Sequence, residues 1–459
     1  MDMMKFLQDA VLRKLPIYFK MGALLFLILI LLIPIGIIDD LVGERQMRQN
    51  TVRNEISEIW GRAQSVFGPV LILPYRQPVE ITDKDGNVTM GQRRGRAFIL
   101  PERLAVDAAI APELRYRGIF EAAVYRGKLE FTGHFARPDF AVMGIGDATI
   151  EWDRALLAAG VSDLRGTGNA LALRLGKAEA EFAPGSTSPA IGSGIHAAVG
   201  DSFTTPWPAT DDLPFHFTLD MAGSGGLSFT PSAKETAVTL KSAWPHPRFD
   251  GAWLPEERTV GADGFEAHWS VSWFGRDFPQ EWTEQDNTGN LSHRIEQSRF
   301  GASLITPVDF YLKSERSVKY ALLFILLIFA TVFILEVAVP VRIHLIQYAL
   351  VGFAMSVFYL LLLALAEVIG FAAGFALAAL ASAGMVTLYL GRAMGSVGRG
   401  AQLAAVQAGI YGFLYIVLQL EDYALLAGAV GMVAALAAVM YASRNIDWYG
   451  LGQTPEDGE

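Results

Sequence analysis

The chain has 459 residues, of which 52 % are apolar and 18 % charged, and its positive mean hydropathy sets it apart from ordinary soluble enzymes. Its formal net charge is −10 and no basic run is long enough to follow a phosphate backbone, so nucleic acid is excluded as a partner. The cysteine count is 0, which removes disulfides, thiol catalysis, iron–sulfur clusters and cysteine-ligated zinc together.

From the N-terminus, the first apolar run is "MGALLFLILILLIPIGII", residues 21–38, long enough to span a bilayer. Residues 1–20 carry Lys5, Arg13, Lys14 and Lys20, whereas Asp39 and Asp40 follow the run. Positive charge stays on the cytoplasmic side, so the N-terminus is expected there. The run is long for a cleaved leader and no small-x-small site follows it, which predicts an uncleaved anchor.

Residues 39–319 are then expected in the periplasm. They open with "ERQMRQNTVRNEISEIWGRAQ", where Met47, Val52, Ile56 and Ile59 keep a helical period to about residue 61. From "GPVLILPY" onward the pattern changes. "RAFILP", "RGIFEAAVY", "KLEFTGHF", "FHFTLDM", "TAVTLKSAW" and "FEAHWSVSWF" are short, alternating or β-branched, and bounded by Gly, Pro, Asp and Ser. Many such strands with little helix predict an all-β, sandwich-like domain.

This domain shows no catalytic motif. The seven histidines of the whole chain, His134, His196, His216, His246, His268, His293 and His344, lack the H-E-x-x-H spacing of a zinc protease. "GSGIH" and "GSGGLS" read as glycine turns and not as a nucleophile elbow. "GIGDAT" precedes a strand and lacks the third glycine of a dinucleotide fingerprint. No catalytic, cofactor or metal residue is therefore assigned. The segment "SAWPHPRFDGAWLPEERTVGADGFEAHWSVSWFGRDFPQ" stands out for its aromatics. Trp244, His246, Arg248, Trp253 and Trp269 are candidates for a periplasmic ligand groove, against the plainer reading that the tryptophans fill a sandwich core.

The C-terminal apolar block divides at its polar interruptions into spans at 320–339, 348–366, 370–390, 401–420 and 423–442. With the first run this makes six transmembrane helices. Arg342 with His344, Arg392 with Arg399, and Arg444 then fall on the cytoplasmic side, as does the tail 443–459, while Glu367, Glu421 and Asp422 fall outside. Both termini are expected in the cytoplasm. Gly370, Gly374, Ala378 and Ser382 on the fourth span, and Ala427, Gly431 and Ala435 on the last, form small-residue stripes suited to packing within the bundle or to a homo-oligomer. Tyr348, Tyr389, Tyr411, Tyr441, Trp448 and Tyr449 sit near span ends, as an aromatic belt would. Glu336 is the one acid clearly inside a span, and Arg342, His344 or a loop arginine is its expected partner.

The stretches "ERSVKYALLFILLIFATVFILE", "QYALVGFAMSVFYLLLLALAEVIGF", "LYIVLQLEDYALLAG" and "SRNIDWY", with "GPVLILPY", "WPHPRFDGAWLP", "GFEAHWSVSW" and "TPVDFY" in the middle, resemble the CreD family of bacterial inner-membrane proteins over nearly the whole chain. One departure is "AEVIGF", where Val368 stands at a position expected to hold histidine. The resemblance implies a factor of cell envelope integrity, induced through a two-component system, whose loss or excess alters envelope morphology and tolerance to colicins and some antibiotics. It implies no catalytic activity.

The expectation is a multi-pass α-helical inner-membrane protein with a large periplasmic β domain inserted between its first and second spans. Its expected role is non-enzymatic, with the bilayer and an envelope component as partners and no cofactor. The rival is a transporter or channel using Glu336 and the outer acids, although a transporter should gather polar groups and broken helices at the midplane. Glu367, Glu421 and Asp422 are further expected near Arg316 and Lys319, all five being at outer span ends, where such contacts would dock the β domain.

Overall fold

The computed structural model describes residues 2–82, 88–168, 171–189, 191–203, 207, 212–286, 290–305, 310–338, 343–420 and 423–444. The chain divides into two compact units, residues 1–49 with 308–459 and residues 50–307.

The helical unit begins with α1 (Asp2–Trp60). Within it Leu24, Ile28, Leu31, Ile35, Ile38 and Val42 are buried at spacings of three and four, while Leu25, Phe26, Leu29, Ile33 and Ile37 are exposed. One stripe packs on protein and the other faces fit lipid. The C-terminal helices of this unit follow the β-rich residues in sequence.

The β-rich unit contains two sheets. One follows the path Pro247–Gly251, Phe300–Leu304, Gly226–Phe229, Gln64–Thr82, Leu156–Val161, Gly194–Ala198 and Ala183–Pro184, with Val88–Ile99, Glu281–Thr283 and Thr149–Ile150 attached. The other follows Glu257–Gly261, Gly264–Ser272, Glu235–Ser242, Arg103–Arg117, Phe120–Ala136, Asp212–Ser224, Ala172–Leu175 and Ala178–Glu181. Alternation builds the core between them: Leu104, Val106, Ala108 and Ile110 of one sheet share a buried cluster with Leu157, Ala159 and Val161 of the other. Phe131 and Phe217 are cross-strand partners whose rings stack at 4.5 Å.

The central strand Gln64–Thr82 is buried on both faces, which explains the continuous run "GPVLILPY". Val66, Leu71, Leu73 and Tyr75 enter the main core. Phe67, Val70 and Ile72 enter a smaller one, closed by Trp282 and by the short helix α2 (Leu291–Gln297). The domain is therefore β-rich and not wholly β.

The remaining helices are α3 (Phe310–Lys319), α4 (Ala321–Ala338), α5 (Leu345–Ile369), α6 (Phe371–Ala393), α7 (Val397–Gln419) and α8 (Ala424–Ser443). By length and composition α1, α5, α6, α7 and α8 can each cross a membrane, and α3 with α4, bent by 47°, makes a sixth candidate if counted as one. The turn between α5 and α6 is made by Gly370 at φ +82°, a conformation that L side chains rarely adopt. A Cβ at Gly374 would lie 2.8 Å from the Ala366 nitrogen, so the small residue there lets α6 approach the α5 backbone.

Candidate functional site

Two polar clusters tie the helical unit together. At the first, Lys20 of α1 donates to Glu336 of α4, and the ammonium also donates to the Ile343 carbonyl at 2.8 Å. The same Glu336 oxygen, Oε1, accepts the Ile343 N–H at 3.1 Å, and Oε2 accepts the Tyr348 hydroxyl at 2.8 Å. Lys20 also lies 5.4 Å from the centre of the Tyr348 ring. The side chains of Lys20 and Glu336 are only 22 % and 12 % exposed, so the pair is largely desolvated. Such a pair holds only when its remaining donors and acceptors are filled, and Glu336 receives three donors.

At the second cluster, Glu367 near the end of α5 accepts the Tyr311 hydroxyl of α3 at 3.0 Å and pairs with Arg45 of α1 at 3.8 Å. Beside it Lys313 donates to Gln419 of α7 at 2.8 Å and lies 5.6 Å from the Phe371 ring centre. Tyr348 and Glu367 are separated along α5 by about 28 Å, close to the roughly 30 Å of hydrocarbon in a bilayer. Between the clusters Leu31 of α1 packs on Gly352 of α5, where a Cβ would lie 2.2 Å from Leu31 Cδ1. The same two helices are thus joined at both ends and in the middle, and they run parallel.

The bundle interior holds two further polar contacts. Ser382 donates to the Ala354 carbonyl at 3.0 Å and shares a hydrogen bond of 2.9 Å with the Tyr411 hydroxyl. Thr387 donates to Gln407 at 3.1 Å, where Gln407 is wholly buried.

These contacts redistribute the residues expected to act. Glu336 is engaged by Lys20 and Tyr348, and His344 instead caps α5 in a capping box with Gln347. Glu367 has Arg45 and Tyr311 as partners, while Lys319 pairs with Glu315 at 2.6 Å and Arg316 is half-buried on α3. Glu421, Asp422, Arg342, Trp448 and Tyr449 lie outside the described residues. Tyr348 and Tyr411 are buried hydrogen-bonding groups and not belt residues; Tyr389 and Tyr441 are exposed. Gly374, Ala378 and Ser382 are buried inside the same chain, and Gly431 faces the Phe413 ring.

In the β domain Trp244, Trp253 and Trp269 belong to or pack against the core. Trp269 is fully buried between Phe249 and Phe300 and donates to the Trp253 carbonyl at 3.3 Å. Trp253 packs edge-on against Phe300, and Trp244 donates to the Ile305 carbonyl at 2.9 Å. Arg248 pairs with Asp250 at 3.2 Å and His246 is exposed. Burial of Trp269 removes it from any open groove. Among the described residues no group of three or more His, Asp and Glu could hold a metal ion.

Sequence reasoning did not single out Lys20, Arg45 or Tyr311. Lys20 abuts an apolar run and reads as a flanking charge; the partner that gives it a role is 316 positions away.

A family described as "Inner membrane protein CreD" matches residues 16–449. "Inner membrane protein CreD" of Escherichia coli (strain K12) is 32 % identical over 439 residues, covering 95 % of this chain and 94 % of that protein. No solved structure matches the chain.

Proposed function

Since the chain belongs to the CreD family of inner membrane proteins, we propose that it is a non-enzymatic inner-membrane protein that supports envelope integrity under stress through a periplasmic β domain. The observation that carries this reading is the size and place of that domain. A two-sheet sandwich is inserted between the first apolar helix and all the others.

In this reading the chain crosses the membrane six times, with α3 and α4 together forming the second crossing and both termini in the cytoplasm. The parallel run of α1 and α5 supports it, because first and third crossings must point the same way. The charge pattern supports it as well, since Arg392, Arg399 and Arg444 then lie on the cytoplasmic side. The filled hydrogen bonding of Glu336 favours a clamp over a proton carrier, which needs a group free to exchange its proton.

The cysteine-free sequence gives a direct test. Val142 of the β domain and Val397 at the start of α7 are 82 % and 91 % exposed. Val142→Cys should react with a membrane-impermeant maleimide in cells whose outer membrane alone is permeabilised, and Val397→Cys only after lysis. The reverse pattern would overturn the orientation. For the role, the intact chain should restore detergent tolerance to cells lacking it, and Trp269→Ala, which removes the centre of the β core, should not. Equal rescue by both would remove the β domain from the function.

A further inference from the structure

The aromatic segment continues past the buried Trp269 into "SWFGRD", and there the structure leaves two adjacent rings in the open. Trp273 is 38 % exposed and Phe274 is 87 % exposed, with their ring centres 5.2 Å apart. Both sit on a short 3-10 turn, Trp273–Gly275. Exposing large rings in water is unfavourable, so the rigidity of this turn matters.

The turn is held from beneath. The Trp273 N–H donates to the Lys234 carbonyl at 2.9 Å, and the Arg276 N–H donates to the Trp273 carbonyl at 3.2 Å. Arg276 is 8 % exposed; its guanidinium donates to the Pro231 carbonyl at 3.3 Å and to the Gln280 side chain, and it stacks on Phe278. Gln280 in turn donates to the carbonyls of Leu100 and Pro101 at 2.8 and 2.7 Å. A buried guanidinium that bonds backbone and amide oxygens fixes the backbone of the turn from which the two rings project.

Beside the rings opens a cleft of about 380 Å³, within the range of small-ligand sites. Its polar wall holds two ion pairs, Arg103 with Glu235 at 2.6 Å and Lys234 with Glu102 at 2.8 Å, together with Ser272 and His134, and the Lys234 ammonium lies over the Trp273 ring at 5.6 Å from its centre. The charges cancel within the wall. The cleft therefore has no excess charge with which to select an anion or a cation, yet it carries donors and acceptors side by side. A ligand that fits has many hydroxyl groups, each able to donate and accept, and an apolar C–H face for the rings.

We infer that this cleft binds a neutral pyranose oligosaccharide, with the sugar face on Phe274 beside Trp273 and the hydroxyls on the paired charges and His134. The inference names the partner class of the β domain and rests on the preceding reading only for the claim that glycan is the envelope component met in the cell. Binding itself is measured without reference to orientation or stress.

The test uses the full chain in lipid nanodiscs, since glycoside detergents carry a competing sugar. Chitotetraose, an N-acetylated amino-sugar chain, and laminaritetraose, a plain glucan, are titrated against tryptophan emission. At least one should saturate with little dependence on salt, and the one preferred distinguishes a cell-wall type of glycan from a glucan. Phe274→Ala should weaken binding about tenfold and His134→Ala should weaken it less, while Val142→Ser should bind as the wild type does. Because Phe274 packs on little, its loss leaves the fold intact, which an unchanged unfolding midpoint verifies. Saturation by neither sugar, equal binding by Phe274→Ala, or binding that salt abolishes would overturn the inference. Failure here with the expected cysteine labelling would leave the envelope reading standing without its glycan.

Discussion

Lys20 and Glu336 form a hydrogen-bonded ion pair that joins the first apolar helix to α4 across 316 positions of sequence. Tyr348 completes the contact from α5, so three helices meet at one carboxylate. Around this relationship the helical unit's behaviour can be anticipated.

Removing the carboxylate alone leaves an ammonium with no counter-charge in a largely desolvated place. Glu336→Gln should therefore lower the stability of the helical unit by about 3 kcal/mol, the low end of the range for a broken buried pair. Lys20→Met combined with Glu336→Gln should cost less than the sum of the two changes. Thermal unfolding in nanodiscs measures both, and strict additivity would show that the two groups are not coupled.

The middle of the α1–α5 contact depends on a missing side chain. Gly352→Ala places a Cβ 2.2 Å from Leu31 Cδ1 and should destabilise by about 1–3 kcal/mol through overpacking. Leu31→Ala in the same chain should recover part of the loss. No recovery would mean that the crowding arises elsewhere.

Trp269 lies at the centre of the β core, packed by Phe249 and Phe300. Trp269→Ala should cost about 3–5 kcal/mol, read from the β-domain transition in denaturant. Trp269→Phe should cost less, since more of the ring contact is kept. A near-neutral Trp269→Ala would place the core's weight elsewhere.

Two glutamates of the β domain should respond oppositely to pH. Burial raises the Glu151 carboxyl, but hydrogen bonds and charge from Arg76 at 2.5 Å and Arg154 at 2.8 Å outweigh it and hold its pKa below the usual carboxylate range. Its contribution is present above the unfolded carboxylate pKa and is lost as pH falls through the lower folded value. At Glu281 burial raises the pKa, opposed by Lys234 and reinforced by Asp139 and Glu102. The ionised form is then a cost at neutral pH that disappears as pH falls through the raised folded value. Glu151→Gln should thus lower the unfolding midpoint at neutral pH and Glu281→Gln should raise it, with both differences shrinking on acidification. Midpoints that stay parallel to the wild type across the acid range would contradict both assignments.

Much of the architecture is legible in the sequence because it rests on local periodicity. The apolar run after Lys20 is too long for anything but a membrane helix or a buried one, and "FHFTLDM" alternates as a half-buried strand must. Other elements escape the same reading. "LAVDAAIAPELRYR" forms the long strand Arg103–Arg117, yet its alternating inward positions include alanine, a residue without β preference, and its identity comes from pairing with Phe120–Ala136 on one side and Glu235–Ser242 on the other. The switch from the charged α3 to the apolar α4 is visible in the sequence, but the 47° bend between them is not.

Composition and periodicity by themselves determined that this chain has an apolar N-terminal helix, a β-rich middle and an apolar helical C-terminus, because those features depend on residues a few positions apart. Only the tertiary structure decided which charges meet. Glu336 could have paired with any nearby cation; helix packing gave it Lys20 and Tyr348, and gave Glu367 Arg45 and Tyr311. The same holds for the tryptophans, where identical side chains became core at Trp269 and surface at Phe274's neighbour Trp273. Partner choice and burial depend on three-dimensional proximity between distant segments, and sequence spacing carries no record of that distance.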